Sequence, residues 1–211
     1  LRISSNSSKI IYQAKTEMAE ILILYYSRSG HTKALAREIQ KGALTEKDCE
    51  TKVRVIAPLG TSELSQEKGE PAIVTKQDLK NCDGLALGSP TRFGSMAASI
   101  KVFFDQTSDI WISGQLIDKP AVVFTSTSSM HGGQEATLLS MAVPLLHHGM
   151  IILGIPYSNN SLMDTTSGGT PYGASHLSGS DNKRSLTPEE QSTAKTLGKR
   201  LANAAVRLKK D

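Results

Sequence analysis

Tyr25-Tyr26-Ser27-Arg28-Ser29-Gly30-His31-Thr32 joins an apolar run, Ile21-Leu22-Ile23-Leu24, to a segment of helical periodicity that begins near Lys33. A strand that ends in small hydroxyl residues and glycine and turns directly into a helix aims unpaired backbone N–H groups, and the positive end of the helix dipole, at one point. That point is an anion site. Ser27, Ser29 and Thr32 add hydroxyl donors, and Gly30 admits a positive φ or a close approach of backbone to a phosphate. Taken alone, the stretch also reads as an ordinary strand-to-helix turn with a Ser or Thr cap. It lacks the Gly-Lys-Ser/Thr ending of a nucleoside-triphosphate loop and the Gly-x-Gly-x-x-Gly of a dinucleotide loop. The ligand it suits is one terminal phosphomonoester, held by hydroxyls and amides without a metal.

From Met18 onward, short aliphatic or β-branched runs alternate with helix-period segments, the pattern of a parallel sheet covered by helices on both faces. Strands are predicted at 20–26, 51–56, 83–88, 121–125 and 150–155. The first helix carries Leu35, Ala36, Ile39 and Gly42 on one face, and a later one buries Ile100, Phe103 and Phe104. Leu138, Leu139, Ala142, Leu145 and Leu146 mark a third helical face, in which Pro144 predicts a kink or an interruption. Residues 58–80 read as mostly irregular, with room for one short helix at 74–79. After Tyr157 come about thirty residues without periodicity, a length usually functional or disordered, and the two tyrosines of this stretch favour function. Thr187-Pro188-Glu189-Glu190 then opens the last helix with a capping box and a first-turn proline.

The 211-residue chain, 38% hydrophobic and 21% charged, has material for one generous soluble domain. Its net charge of +4 is modest and spread out, and the basic tail around Arg207 and Lys209 has no interleaved aromatics, which argues against nucleic-acid binding. Cys49 and Cys82 form no C-x-x-C or metal spacing, which suits a reducing compartment. No apolar run approaches the roughly 20 residues of a membrane span, so a cytoplasmic protein without an integral membrane segment is expected. The Ser-rich, aperiodic residues 1–17 read as a leader, artificially appended or disordered, ahead of a single domain over 18–211; a genuine amino-terminal arm is the alternative.

Two more predicted strands end in loops of the same chemistry as the first: Ser89-Pro90-Thr91-Arg92-Phe93-Gly94-Ser95-Met96 and Ser126-Thr127-Ser128-Ser129-Met130-His131-Gly132-Gly133. In an open α/β sheet all three meet at one edge, where ligands bind. Other chemistries lack their residues. A receiver domain needs clustered carboxylates at the first strand end, and a serine hydrolase needs Gly-x-Ser-x-Gly. No H-E-x-x-H is present, and the adjacent His147 and His148 point roughly 100° apart on a helix, so no metal site is expected.

Taken together, Tyr-Tyr-Ser-x-x-Gly-His at 25–31, Gly-Ser-Pro-Thr-Arg-Phe-Gly at 88–94, Ser-Thr-x-x-x-x-Gly-Gly-Gln-Glu at 126–135, His-His-Gly-Met at 147–150 and Gly-Gly-Thr-Pro-Tyr-Gly-Ala at 168–174 resemble the WrbA-type NAD(P)H:quinone oxidoreductases. The resemblance implies a flavodoxin-like three-layer α/β fold with a central five-stranded parallel sheet. It also implies FMN as cofactor, NADH or NADPH as co-substrate, quinones as substrates, and a homotetramer. By motif, Ser27, Arg28, Ser29, Gly30, His31 and Thr32 would hold the phosphate. Pro90, Thr91, Arg92 and Phe93, with Ser126, Thr127, Ser128, Ser129, Met130 and His131, would line the flavin ring and ribityl chain. His147 would lie near the flavin, while Ser29, Trp111 and Tyr157 would meet substrate. Arg28-Ser29 stands where a methionine-tyrosine pair is common in relatives.

The residues suit that chemistry. Donors and a cation near the flavin edge, such as Arg92 and loop amides, would stabilise a reduced, anionic flavin, and Phe93, Trp111 and Tyr157 offer aromatic walls. No protein nucleophile or general base is required, and planar nicotinamide and quinone taking turns on one face predict ping-pong kinetics. A flavodoxin-type electron carrier and a non-catalytic FMN-binding regulatory protein stand as alternatives; the net basic charge weighs against the carrier, whose docking usually relies on acidity.

Overall fold

The computed structural model describes residues 18–60 and 69–209. The residues read as a leader, 1–17, lie outside that range. In chain order the elements are β1 (Ala19–Tyr25), α1 (His31–Ala43), β2 (Cys49–Val55), α2 (Lys76–Asn81), β3 (Gly84–Pro90), α3 (Ala98–Asp105), α4 (Ser108–Ile112), β4 (Pro120–Thr127), α5 (Gln134–His147), β5 (Ile151–Ile152), α6 (Ser161–Asp164), β6 (Ala174–Leu177) and α7 (Pro188–Lys209).

The sheet is parallel throughout, in the order β2-β1-β3-β4-β5. Successive side chains of β1 go to opposite faces. Ile21, Ile23 and Tyr25 join Leu35 and Ile39 of α1 and Leu197 and Leu201 of α7. Leu22 and Leu24 join Ile100 and Phe104 of α3 and Leu138, Met141 and Leu145 of α5. Two buried cores thus sandwich one sheet: β3 and β4 are buried at every position and β1 at every one but Glu20.

The α1–α7 layer is packed backbone to backbone. A Cβ at Gly42 would stand 2.0 Å from the Lys195 carbonyl oxygen, and one at Gly198 would stand 2.0 Å from that of Ile39. At the start of α7 the predicted capping box is formed: the Glu190 N–H donates to Thr187 Oγ1 (3.2 Å) and the Thr187 N–H to Glu190 Oε2 (3.0 Å).

Two expectations need correction. The fifth strand is not one run over 150–155. Only Ile151 and Ile152 pair with the start of β4, at Pro120 and Ala121. The chain then leaves the sheet near Pro156 and returns as β6, which pairs with the end of β4 from Phe124 to Thr127. One sheet position is therefore filled by two short strands in succession, with the excursion between them pinned where the Ile155 N–H donates to the Pro171 carbonyl (2.9 Å). The second correction concerns one of the two outcomes expected at Pro144: the interruption does not occur, since the helix runs from Gln134 to His147 with the proline inside it.

Candidate functional site

Strands β1, β3, β4 and β6 end at the same edge, and their loops enclose a cavity of about 470 Å³. The first loop contributes Ser27, Arg28, Ser29, His31 and Thr32 to its wall. Gly30 is the N-cap of α1, with φ 86°, so glycine rather than a hydroxyl side chain makes the turn into the helix. The second loop contributes Pro90, Thr91 and Arg92; the third contributes Ser126, Thr127 and Ser128. Thr32 is buried, and its hydroxyl meets that of Ser126 at 3.0 Å, tying the first loop to the third. Among the described residues no carboxylate lines this space, whereas Arg28, Arg92 and the first turn of α1 all do, so its field favours an anion.

A second, larger cavity of about 1310 Å³ adjoins the first, with Arg92 in both walls. Its lining is mostly apolar: Phe93 and Met96 from the second loop, Phe104 from α3, Trp111 from α4, and Pro144 and His147 from the end of α5. The second loop doubles back on itself, the N–H groups of Arg92 and Ser95 each donating to the other's carbonyl (2.8 and 3.0 Å). Phe93 stands at the tip, fully exposed, with φ 51°. A bulky residue held at positive φ is costly and points to function. Trp111 donates its indole N–H to the His147 carbonyl (2.9 Å), so these two predicted residues do come together.

His148, buried beneath the same wall, has a defined tautomer. The Thr107 hydroxyl donates to the Phe104 carbonyl (2.7 Å) and so accepts from His148 Nε2–H (2.9 Å). Burial, then the neighbouring His147, lowers the pKa of the His148 ring and keeps it neutral.

The structure separates other predicted residues. His147 lines the larger apolar cavity, not the hydroxyl-lined one. Ser129, Met130 and His131 are exposed and line neither cavity, because Thr127 Oγ1 donates to the Ser129 carbonyl (2.9 Å) and the loop folds outward. Tyr157 is exposed on the excursion between β5 and β6 and lines neither cavity.

Sequence reading missed Ser178 and Asn182, which close the smaller cavity from the turn after β6. Their signal was available: Ser178-Gly179-Ser180-Asp181-Asn182 has the small, hydroxyl-rich composition of the other three loops. It also missed the tie that positions this turn, the buried Glu190 carboxylate. Oε1 accepts from Ser167 Oγ (2.7 Å) and from the Gly168 and Leu177 N–H groups (2.9 Å each). Oε2 accepts from His176 Nδ1 (2.7 Å) and the Thr187 N–H (3.0 Å). Burial pushes this carboxyl up, but the hydrogen bonds led by His176 outweigh it and hold the pKa at about 2.

Among the described residues no group of three or more His, Cys, Asp or Glu is placed to hold a metal ion, and no helix is long and apolar enough to cross a membrane.

The architecture is shared with solved flavoproteins. The chain is similar to a flavodoxin, WrbA-like protein from Agrobacterium tumefaciens, at 23% identity and TM-score 0.63, over 90% of this chain and 98% of that one. It is similar to oxidised flavodoxin 2 from Bacillus cereus at 19% identity and TM-score 0.54, over 90% and 99%. A flavone reductase matches at 12% identity and TM-score 0.62, over 88% of this chain and 62% of that one. At such identities the likeness establishes a flavodoxin-like fold. The family of NADPH-dependent FMN reductases is matched by its own sequence model over residues 19–161, which spans the first three loops, α4 and both histidines at the end of α5. An FMN-dependent oxidoreductase is therefore what this fold serves, and the chain belongs to the NADPH-dependent FMN reductase family.

Proposed function

We propose that the chain is a WrbA-type NAD(P)H:quinone oxidoreductase that binds FMN across the two cavities and works as a homotetramer. One observation carries this reading: a hydroxyl- and guanidinium-lined cavity of phosphate character lies beside an apolar cavity with aromatic walls, with Arg92 lining both. The residues fit the cofactor. Ser27, Ser29, Thr32 and Ser126 offer hydroxyls to a phosphate, with Arg28 and the α1 amino terminus supplying charge.

Bound in this site, FMN supplies two-electron transfer between a nicotinamide and a quinone, and substrates that take turns at one face give ping-pong kinetics. The protein's own part is to bind, orient and exclude water. Arg92 places a cation where the two cavities meet, Phe93 and Trp111 offer faces for planar substrates, and His147 lies beside Trp111 in the same wall.

The tetramer is supported by exposed apolar side chains on the helices that flank the larger cavity. Val102, Trp111, Ile112, Val143 and Leu146 are all exposed on α3, α4 and α5, a concentration of large apolar side chains that a neighbouring copy would bury. Such a neighbour would also close the cavity. Cys49 and Cys82, free and buried, suit a reducing cytoplasm.

The test is NADPH oxidation with benzoquinone as acceptor, with and without added FMN, alongside molecular mass by analytical ultracentrifugation. FMN-dependent turnover with parallel double-reciprocal plots and a tetrameric mass is expected. FMN binding without turnover would identify a carrier or regulatory module instead. Intersecting lines would show a ternary complex, and a fully active monomer would defeat the assembly.

A further inference from the structure

The turn that closes the smaller cavity is held from beneath by two stacked histidines. His31, first residue of α1, and His176, in the middle of β6, have ring centroids 5.1 Å apart with planes inclined at 35°. His31 Nε2 lies 3.0 Å from the Asn182 carbonyl, and His176 Nε2 lies 3.2 Å from the Arg184 carbonyl. A carbonyl can only accept, so both nitrogens donate. Two imidazoles thus grip one turn at backbone positions two residues apart.

The turn needs that grip. Asn182 sits at φ 54°, in the left-handed region, and Gly179 at φ 79°. Within itself the turn is tied by the Asn182 N–H to the Gly179 carbonyl (3.1 Å), the Arg184 N–H to the Ser178 carbonyl (3.1 Å) and the Ser178 hydroxyl to Asn182 Oδ1 (3.1 Å), and Ser178 alone reaches out of it, its N–H (2.8 Å) and hydroxyl (3.0 Å) both donating to the Thr127 carbonyl. A non-glycine residue at positive φ persists where surrounding contacts over-determine it.

His176 differs from His31 in what its other nitrogen meets. Nδ1 faces Glu190 Oε2, an oxygen of a carboxylate whose five partners are all donors. Both ring nitrogens of His176 therefore face acceptors, and only a ring with two N–H groups satisfies both. The ring is 1% exposed and Glu190 is 0% exposed, so the pair is shielded from water. The titratable groups facing the ring are Glu190 from α7 and His31 from α1, while Arg184 meets it through the backbone.

We propose that His176 is a positioning residue for the cofactor phosphate: as an imidazolium fixed between Glu190 and the Arg184 carbonyl, it locks, with His31, the turn whose Ser178 and Asn182 complete the phosphate cavity. This rests on the reading of that cavity as the FMN phosphate site. His176 does not touch the cavity itself; His31 does. Its effect on a ligand therefore passes through the turn that carries Ser178 and Asn182.

The experiment compares FMN with riboflavin, which lacks the phosphate, by quenching of flavin fluorescence in wild type, H176F and H176Q. H176F keeps a ring against His31 and removes both donors; H176Q keeps one donor nitrogen, which can reach Glu190 or the Arg184 carbonyl but not both. The ratio of FMN to riboflavin affinity is expected to fall about tenfold in H176F and less in H176Q, with riboflavin affinity itself within about twofold of wild type. A purely structural histidine would weaken both ligands or neither, and a ratio unchanged in the folded variants overturns the proposal. Should H176F not fold, the ratio in H176Q decides. Ring-nitrogen NMR of histidine-labelled wild type is the independent check: two protonated nitrogens are expected at His176, and a ring with either nitrogen bare overturns the proposal without any variant. If wild type binds FMN and riboflavin equally, the phosphate reading of the cavity falls, and this proposal with it; if wild type prefers FMN and the variants do so equally, only this proposal falls.

Discussion

Replacing Glu190 with Gln removes one charge and turns one acceptor into a donor at a carboxylate that five donors surround. In either amide orientation the NH₂ faces N–H or O–H groups. Placed at Oε1 it meets Ser167, Gly168 and Leu177; placed at Oε2 it meets His176 and Thr187. At least two buried donors lose their acceptor, at about 1–3 kcal/mol each, for a loss of about 2–6 kcal/mol. Titration offers a second route to the magnitude. The carboxyl pKa falls from its ordinary 4.5 to about 2 in the fold. At roughly 1.4 kcal/mol per pKa unit, that is about 3 kcal/mol. Because the folded pKa is the lower one, this stability is present above pH 4.5 and is lost as pH falls from 4.5 toward 2. The assay is urea unfolding of wild type and E190Q at pH 7 and at steps down to about pH 2.5, with thermal melts in parallel. E190Q should lose about 3 kcal/mol at pH 7, or about 6–12 °C in Tm for a chain of this size, and its stability should fall less steeply than wild type through the acid range. A loss under about 1 kcal/mol at pH 7, or an acid limb as steep as that of wild type, would refute the role given to this carboxylate.

Two other expectations test packing and the substrate wall. Gly198→Ala should cost about 1–3 kcal/mol in urea unfolding, because its Cβ would stand 2.0 Å from the Ile39 carbonyl oxygen and 2.8 Å from the carbonyl carbon, and helix backbone cannot yield as a side chain would; a cost under about 0.5 kcal/mol would mean that α1 and α7 do not touch so closely. Trp111→Ala should raise the quinone KM more than it weakens FMN binding, since Trp111 lines the larger cavity alone and leaves the phosphate-like cavity untouched; the reverse order would move it to the cofactor.

What could be read from the chain, and what could not, follows from where the information is stored. β1, β3 and β4 are buried on both faces, so Ile21-Leu22-Ile23-Leu24, Leu85-Ala86-Leu87 and Ala121-Val122-Val123-Phe124 declare themselves as unbroken apolar runs whatever their neighbours. The loops at their ends were legible for a related reason. Nothing in a strand or helix requires Ser, Thr and Gly at three strand ends together, so the shared composition had to answer to a shared ligand. The excursion between β5 and β6 was opaque because its order is borrowed. β6 is Ala-Ser-His-Leu, with two apolar residues in four, and Ser175 and His176 are as buried as Ala174 and Leu177. No hydrophobic period can announce such a strand.

The polar half of β6 is stabilised by hydrogen bonds that come from other elements. Ser175 donates to Gln134 of α5 (2.5 Å), and His176 donates to Glu190 of α7 (2.7 Å). Glu190 itself was visible as the fourth residue of Thr187-Pro188-Glu189-Glu190, and a helix cap needs only one of its oxygens. The other oxygen does a job that local sequence cannot express, gathering Ser167, Gly168 and Leu177 from two separate segments. The same carboxylate thus starts a helix and anchors the strand whose following turn supplies Ser178 and Asn182 to the cavity. This fourth wall is the part of the site that depends on a buried ionic network rather than on apolar burial. Networks of this kind lose most when any one member is removed. Damage at Glu190 or His176 should therefore reach the cavity through the turn after β6, while the walls built on β1, β3 and β4 stay in place.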